Sequence, residues 1–353
     1  MDNAGQLASR PYDPQQAVQY GQFIELAYTM YAGAPTNPTP PPPSSFIAGY
    51  KFVAWVQMKD FVIEDGNWTF YGLIAQRTSK SNEFVLAIRG TENLAEWWDD
   101  FTSAVLVPLT GFGQVAYGFN RIYQTLRVVD YTLTATARAE AAPTLPAATF
   151  AQQVAATVQR HASLGHEQNQ ATAQAVSPST SMEVTGHSLG AALATLYAAE
   201  NAGDSHVTTP VLCTFASPRV GDSTFATKFD QLAITSWRIV NELDVVPKLP
   251  FLGFTHIATE HAYNSGSSVN WSVGCWHSLA TYLNLLDPKQ PISQECRVSQ
   301  KVAAIAAAPL LASAKMAAMI PAVPTPAPKE IALATPSGEG TTINITIKIG
   351  GSE

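Results

Sequence analysis

The segment that most constrains this chain is residues 184–192, Val-Thr-Gly-His-Ser-Leu-Gly-Ala-Ala. It places Gly-x-Ser-x-Gly between a short apolar run and an alanine-rich stretch. This pattern is typical of a sharp strand-to-helix turn that exposes the serine hydroxyl, so Ser188 is a candidate nucleophile. Small residues are needed around the turn because the helix starts directly against the strand. The same letters also fit an ordinary glycine-bounded turn, so the rest of the chain has to decide.

Apolar runs and helical patterns alternate along the chain. Runs typical of strands lie at residues 52–57, 68–74, 84–88, 182–185, 211–215 and 234–240. Helical spacing of apolar residues is found at residues 14–31, 150–161 and 189–201. Because strands that alternate with helices build a largely parallel sheet covered on both faces, the predicted fold class is α/β.

The composition excludes several classes of protein. Of the 353 residues, 46% are hydrophobic and 13% are charged, which is typical of a globular enzyme and not of a disordered chain. The net charge is −7 without any block of Lys or Arg, so no nucleic-acid partner is expected. Three cysteines are too few for a dense disulfide framework. Cys275 and Cys296 are able to pair in an oxidising compartment, but three separate thiols, including Cys213, are the alternative.

A serine nucleophile needs a base, and the base needs an acid that orients it. The chain has seven histidines. His187 lies inside the serine turn and is badly placed to reach Ser188. Three others lie near or before the serine, in helix or loop segments: His161, His166 and His206. The remaining candidates for the base are His256, His261 and His277.

Two aspartates compete for the role of the acid. Asp244 follows the apolar run at 234–240, and the acid of such a site is expected at a strand end after the serine. Asp222 is the rival, in a loop after the run at 211–215. Both also suit the ordinary role of an aspartate that caps a turn. The strand-end position favours Asp244.

Five segments of the chain together resemble the class 3 lipases, a family of fungal-type triacylglycerol lipases with bacterial and plant relatives. They are Ile88-Arg-Gly-Thr91 with Trp97 and Asp100, then residues 184–192, 215–221, 241–250 and 275–282. The resemblance runs from about residue 52 to residue 286. It implies an α/β-hydrolase fold, with a central and mostly parallel sheet flanked by helices.

The resemblance also implies a role for individual residues. Ser188 corresponds to the nucleophile, Asp244 to the acid and His277 to the base, in the chain order expected for this fold. Thr91 and the backbone N–H of Leu189 correspond to the oxyanion hole, where donors stabilise the negative charge of the intermediate.

A short helix after the oxyanion residue acts as a lid in the family, and residues 93–101 would occupy its place here. Four large apolar side chains fall at helical spacing in this stretch and are the candidates for lid and substrate contacts: Leu94, Trp97, Trp98 and Phe101. Three features depart from the family. Ala116 stands where a histidine is common, residues 130–181 are longer than expected, and the C-terminal stretch has no counterpart.

The implied reaction is the hydrolysis of carboxylic esters, most directly of acylglycerols, through an acyl-enzyme on Ser188. It requires no metal and no cofactor, and its partner is a lipid or ester substrate, with a lipid–water interface as one setting. Phospholipase A and short-chain or feruloyl-type esterases share the same residues and remain alternatives. A non-catalytic lipid-binding or assembly protein on this fold is a more distant alternative.

Two regions are expected: an α/β-hydrolase domain over residues 1–290 and an Ala/Pro-rich tail over 291–353 that ends in a strand. Residues 302–320 are apolar, but Pro309 and Lys315 interrupt them, so no transmembrane span is predicted. The alternating strand at the end of the tail suits addition to a sheet edge, which makes the tail a candidate for homo-oligomer formation. No secretory signal is visible at the N-terminus, and the compartment is left open.

Overall fold

The computed structural model describes residues 10–59, 67–91, 105–133, 148–167, 179–204, 206–257 and 259–298. All four lid candidates lie outside the described residues: Leu94, Trp97, Trp98 and Phe101. The apolar stretch at 302–320 and the alternating segment at 341–349 also lie outside them. The lid, the tail and self-association through the tail therefore stay predictions.

Helices and strands alternate through most of the described chain. The helices are α1 (Pro14–Gly33), α2 (Tyr117–Tyr123), α3 (Phe150–Glu167), α4 (Leu189–Asn201), α5 (Ser223–Asp230), α6 (Val273–His277) and α7 (Leu279–Leu286). The strands are β1 (Tyr50–Lys59), β2 (Trp68–Arg77), β3 (Glu83–Ile88), β4 (Leu106–Leu109), β5 (Gly113–Ala116), β6 (Arg127–Asp130), β7 (Thr180–His187), β8 (Val207–Thr208), β9 (Val211–Phe215), β10 (Thr235–Asn241) and β11 (Glu260–Tyr263). Short 3₁₀ turns cover Val246–Lys248 and Gln294–Cys296.

The main sheet is mixed. Its strand order is β11-β10-β9-β7-β3-β2-β1-β6, with β8 beside β7, while β4 and β5 form a separate hairpin. Strands β3, β7, β9, β10 and β11 pair in parallel, whereas β2, β1 and β6 add antiparallel strands on one side. This confirms the predicted α/β-hydrolase fold with its central, mostly parallel sheet. The carboxyl ends of parallel strands share one edge, so the loops after β3, β7 and β10 meet there.

Helices cover both faces of the sheet. On one face α1 and α7 pack against alternate residues of the strands, among them Leu73, Val85 and Trp237. On the other face α2, α3, α4 and α5 pack against the intervening residues, among them Ile74 and Leu86. Because the central strands are buried on both faces, they read as nearly continuous apolar runs in the sequence.

Local chemistry sets the start of α1. Asp13 accepts hydrogen bonds from the backbone N–H groups of Gln15 and Gln16, and Pro14 occupies the first helical position, where its missing N–H costs nothing. The helix then runs across the sheet and brings Tyr28 toward the carboxyl edge of the parallel strands. Within the described ranges, no helix has both the length and the apolar character that crossing a bilayer requires.

Candidate active site

The site begins at the turn between β7 and α4. Ser188 has φ 56° and ψ −126°, a backbone conformation that residues with a side chain rarely adopt and that occurs at functional turns. Its N–H donates to the carbonyl oxygen of Phe215 at 3.0 Å, which ties the turn to the neighbouring strand β9. A Cβ on Gly190 would lie 2.3 Å from the carbonyl oxygen of Ile88, so only glycine allows α4 to start so close to β3. The strand-to-helix turn predicted from residues 184–192 is present.

Asp244 lies in the turn that follows β10. Its carboxylate is completely buried, and both oxygens accept hydrogen bonds. Oδ1 accepts from the backbone N–H of Val246 at 3.0 Å, whereas Oδ2 accepts from Nδ1 of His277 at 2.7 Å and from the hydroxyl of Tyr282 at 2.8 Å. Burial of the Tyr282 phenol, together with the Asp244 charge, raises the pKa of Tyr282 well above its ordinary value, so this tyrosine is a neutral donor.

His277 is the last residue of α6, and its side chain is 4% exposed. Because Nδ1 is bound to Asp244, the proton of the neutral ring is held on Nδ1 and Nε2 keeps its lone pair. Nε2 is buried and has no hydrogen-bond partner among the described residues. The carbonyl oxygen of His277 lies 2.9 Å from Nε2 of His187, the residue directly before Ser188, so the base candidate lies beside the serine turn.

The two predicted oxyanion residues lie at the same edge. Thr91 lies three residues after the end of β3 and is half-buried, while Leu189 is the first residue of α4 and is fully buried. The first N–H groups of a helix have no partner within it, so the Leu189 N–H is available to an oxyanion. Buried Arg89 donates to the carbonyl oxygens of Phe70 and Gly90 and thereby fixes the backbone just before Thr91.

The rival candidates are engaged elsewhere. Asp222 caps α5 by accepting from the backbone N–H of Phe225 at 2.7 Å. His261, on β11, stacks on Tyr12 with ring centroids 3.6 Å apart, and His256 donates to the carbonyl oxygen of Pro247. His161 pairs with Asp130 at 3.1 Å. His206 is exposed, and of the His166 side chain nothing is described.

Besides the donors to Asp244, two further residues that were not predicted contact the site. The hydroxyl of Tyr28, on α1, forms hydrogen bonds with the backbone N–H of Gly90, just after β3, and with Nδ1 of His187. Asn241, fully buried at the end of β10, donates to the carbonyl oxygen of Trp276 at 2.9 Å and so holds the backbone beside His277. Asn241 lies in segment 241–250, one of those that resemble the class 3 lipases, and that resemblance could have pointed to it. No sequence pattern points to Tyr28, because only the tertiary fold brings α1 to this edge.

The cysteine alternatives are resolved. Cys275 and Cys296 form a disulfide, whose first half lies two residues before His277 in α6. Cys213 is a buried thiol, and burial raises its pKa well above the ordinary value, which makes it unreactive. Among the described residues after 290, Cys296 is thus linked to α6 by the disulfide, and Arg297 forms a bridge with Val269, which precedes α6.

The mixed sheet, the strained serine turn and the buried Asp–His pair together define a protein of the α/β-hydrolase class. Residues 85–254 match the family profile described as lipase (class 3), which confirms the resemblance over that segment. The matched segment includes Thr91, Ser188 and Asp244 and ends before α6, so the link to His277 comes from the geometry.

Two relatives match the chain over shorter stretches. Phospholipase A1-II 4 from Oryza sativa subsp. japonica is 42% identical over 116 residues, which is 30% of this chain and 29% of that protein. The secreted mono- and diacylglycerol lipase A from Penicillium cyclopium is 37% identical over 100 residues, or 28% of this chain and 32% of the other. The chain thus spans about a third or less of these two relatives.

Among solved structures, the native lipase–propeptide complex from Rhizomucor miehei aligns with a TM-score of 0.47 and 22% identity, covering 77% of this chain and 78% of its own.

Proposed function

We propose that this protein hydrolyses carboxylic esters, with Ser188 as nucleophile, His277 as general base and Asp244 as the acid that orients it. The observation that carries the proposal is the buried pair of Asp244 and His277 beside the serine turn, with Nε2 of His277 unoccupied among the described residues. The three side chains come from three connections that follow different parallel strands, as a nucleophile, base and orienting group require.

Each step of the reaction has a group to perform it. Nε2 of His277 takes the proton of the Ser188 hydroxyl while the Ser188 oxygen forms a bond to the ester carbonyl carbon. The oxyanion of the tetrahedral intermediate accepts from Thr91 and from the Leu189 N–H, and each such donor is worth about 3 kcal/mol in comparable sites. The ester C–O bond then breaks, and His277 returns the proton to the leaving alcohol. Water, deprotonated by His277, then attacks the acyl carbon. The bond between that carbon and the Ser188 oxygen breaks, His277 returns the proton to Ser188, and the carboxylic acid leaves.

Asp244 keeps the base in the right form. A carboxylate on Nδ1 fixes the tautomer and stabilises the imidazolium that forms during attack. Complete burial excludes water from this contact, while the Val246 N–H and the Tyr282 hydroxyl keep the carboxylate oriented. The three donors satisfy the buried charge, which otherwise carries a large desolvation cost.

The first experiment compares Ser188→Ala with the wild-type protein on p-nitrophenyl esters. We expect turnover to fall at least about 10³-fold, because only oxyanion and binding effects remain. A fluorophosphonate probe should label the wild type at Ser188 and leave the variant unlabelled. Retained turnover in Ser188→Ala rules out the nucleophile assignment, and a folded wild type that neither turns over esters nor reacts with the probe supports the non-catalytic alternative.

A matched pair of variants tests the acid. Asp244→Asn should lower kcat about 10³-fold or more, because the amide holds the wrong tautomer of His277. Asp222→Asn should leave kcat unchanged, since asparagine caps a helix as well as aspartate does. The opposite ranking would assign the acid to Asp222.

For the substrate class we propose acylglycerols, in line with the class 3 lipase segment and with the diacylglycerol lipase relative. Two large apolar side chains are strongly exposed in the loop that follows the acid: Phe251 at 66% and Leu252 at 83%. Exposed apolar loops near a site suit contact with a lipid surface. Emulsified diacylglycerol should be hydrolysed faster than a soluble short-chain ester at equal ester concentration, and the reverse would indicate a short-chain or feruloyl-type esterase.

Phospholipase A activity is the second candidate, because the rice relative that matches at 42% identity is named a phospholipase A1. Vesicles of phosphatidylcholine and emulsions of diacylglycerol, offered separately with equal acyl chains, separate the two. Faster release of fatty acid from the phospholipid favours the second candidate.

A further inference from the structure

His187 is buried between two hydrogen-bond partners that belong to different parts of the site. Its ring is 4% exposed. Nδ1 lies 2.9 Å from the hydroxyl of Tyr28 on α1, and Nε2 lies 2.9 Å from the carbonyl oxygen of His277. The ring also lies against the His277 ring, with centroids 4.8 Å apart. The residue is adjacent to the nucleophile in sequence and yet takes no part in the steps described above.

The partners of His187 fix where its proton lies. A carbonyl oxygen only accepts, so Nε2 must carry the hydrogen that it donates to His277. Burial lowers the pKa of His187 well below its ordinary value, and the nearby His277 lowers it further, so the ring is neutral and Nδ1 is an acceptor. The hydrogen between His187 and Tyr28 therefore belongs to the tyrosine hydroxyl.

Tyr28 extends this chain to the strand end that leads to Thr91. Since its hydrogen points at His187, its oxygen accepts from the backbone N–H of Gly90 at 2.8 Å. The packing here is close: a Cβ on Gly90 would lie 2.6 Å from the Tyr28 hydroxyl oxygen and 2.9 Å from Cβ of Ser188. One directed chain thus runs from the Gly90 N–H through Tyr28 and His187 to the carbonyl oxygen of His277.

We propose that His187 and Tyr28 are positioning residues for ester hydrolysis, which hold the backbone of His277 and the strand end before Thr91 in register with the Ser188 turn. The inference rests on the proposed function, because it concerns how that site is held. The chain joins the three elements whose relative placement decides the rate: the nucleophile turn, the base and one side of the oxyanion hole. Sites of this kind need their groups held within about 0.5 Å.

Contacts from outside α6 hold the backbone and side chains around His277. Asn241 fixes the carbonyl of Trp276, the disulfide fixes Cys275, and the contact from His187 fixes the carbonyl of His277 itself. Three successive residues are thus anchored by three different contacts. Loss of the His187 contact removes the side-chain partner of the His277 carbonyl and leaves the ring held through Asp244.

The sharpest test uses the two amides that mimic different nitrogens of histidine. The amide nitrogen of Gln reaches approximately the position of Nε2, whereas the amide of Asn reaches only that of Nδ1. His187→Gln keeps a donor for the His277 carbonyl and loses only the bond to Tyr28, so its kcat should stay within about threefold of wild type. His187→Asn loses the donor, and Tyr28→Phe loses the hydroxyl contacts with both His187 and Gly90, so each should lower kcat about tenfold. KM should change less than about twofold in all three, because substrate contacts are untouched.

A control separates positioning from stability. Tyr20 is another buried tyrosine of α1, and its hydroxyl accepts from the side chain of Gln16 at 3.0 Å, away from the site. Tyr20→Phe should lower the unfolding temperature about as much as Tyr28→Phe, while its kcat stays at the wild-type value. The kcat of the double variant Tyr28→Phe/His187→Asn should lie within about twofold of that of the slower single variant, because both substitutions break the same chain of hydrogen bonds.

The outcomes are separable from those of the proposed function. If Ser188→Ala retains turnover, the proposed function is wrong whatever the other variants do. If turnover depends on Ser188 but His187→Asn and His187→Gln have the same kcat, or Tyr28→Phe equals wild type, the positioning role is overturned and the proposed function stands. A purely additive double variant also overturns the single-chain arrangement.

Discussion

The described part of the chain contains two buried pairs of histidine and aspartate, and they differ in what surrounds them. In the first, Nδ1 of His277 lies 2.7 Å from Oδ2 of Asp244, at the edge where the parallel strands end. In the second, Nε2 of His161 lies 3.1 Å from Oδ1 of Asp130, between α3 and β6 at the antiparallel end of the sheet. Both carboxylates are at most 4% exposed.

The remaining partners of the aspartates separate the two pairs. Asp130 also accepts from the guanidinium of Arg160 and from the backbone and hydroxyl of Thr132, so a permanent cation balances its charge. Among the described residues, Asp244 accepts only from neutral donors besides His277, which leaves its charge to act on the histidine. The pair of Asp244 and His277 thus combines a carboxylate that no described arginine neutralises with a buried ring nitrogen, Nε2 of His277, that has no hydrogen-bond partner among the described residues.

The largest expected difference between the pairs is in turnover. His277→Ala should lower kcat on p-nitrophenyl esters about 10³- to 10⁴-fold, because the general base is lost. His161→Ala should leave kcat within about twofold of wild type and instead lower the midpoint of thermal unfolding, since it removes a buried contact of α3. Steady-state kinetics and calorimetry on both variants measure the contrast, and a large loss of kcat in His161→Ala would contradict it.

Local sequence was sufficient for the parts of the site that depend on local geometry. The serine turn needs small residues at fixed spacing, and Asp244 follows a strand, so both were predicted from the residues themselves. The choice of His277 over His256 and His261 came only from the family resemblance, because no local rule places a histidine beside an aspartate that lies 33 positions earlier.

The contacts that hold the site were not predicted, and their sequence separations explain why. Tyr28 bonds to Gly90 and His187, which lie 62 and 159 positions away. Such contacts depend on how α1 crosses the sheet, and helical periodicity does not determine that crossing. The strand order was also beyond the sequence pattern. The alternation of strands and helices predicted a mostly parallel sheet, but the antiparallel placement of β1, β2 and β6 follows from tertiary pairing.

A smaller effect is expected on stability from the structural pair. Asp130→Asn should lower the free energy of unfolding by about 2–3 kcal/mol, less than for a fully buried ion pair because the Arg160 side chain is 44% exposed. Turnover should not change. Asp222→Asn is the matched control, since asparagine also caps a helix and its cost should be near zero. Chemical denaturation at neutral pH compares the two, and equal stabilities would show that the second pair contributes nothing.

The same pair should weaken in acid. Burial by itself raises the pKa of Asp130, but the hydrogen bonds from His161 and Thr132 outweigh it and lower the pKa to about 2. A carboxyl group with a depressed pKa in the folded state contributes stability above its unfolded pKa of about 3.9 and loses it as the pH falls toward 2.

Between pH 4 and pH 2 the wild type should therefore lose about 2 kcal/mol more stability than Asp130→Asn. Denaturation curves for both proteins at three or four pH values in this window measure the difference. Parallel curves would show that the ionisation of Asp130 is not linked to folding.

The smallest expected effect concerns Tyr282, which gives Asp244 its third hydrogen bond at 2.8 Å. Tyr282→Phe removes one neutral donor from a buried carboxylate and keeps the ring, so we expect kcat to fall about three- to tenfold and the free energy of unfolding by about 1 kcal/mol.

Tyr197→Phe is the matched control, because Tyr197 is also fully buried but its hydroxyl has no partner within the described part of the chain. Removing an unpaired buried hydroxyl should leave kcat unchanged and the stability equal or slightly higher. An equal loss of kcat in both variants would show that the effect comes from removing any buried phenol hydroxyl. A loss in Tyr282→Phe alone shows that the neutral donors around Asp244 hold its carboxylate in place, as Arg160 does for Asp130.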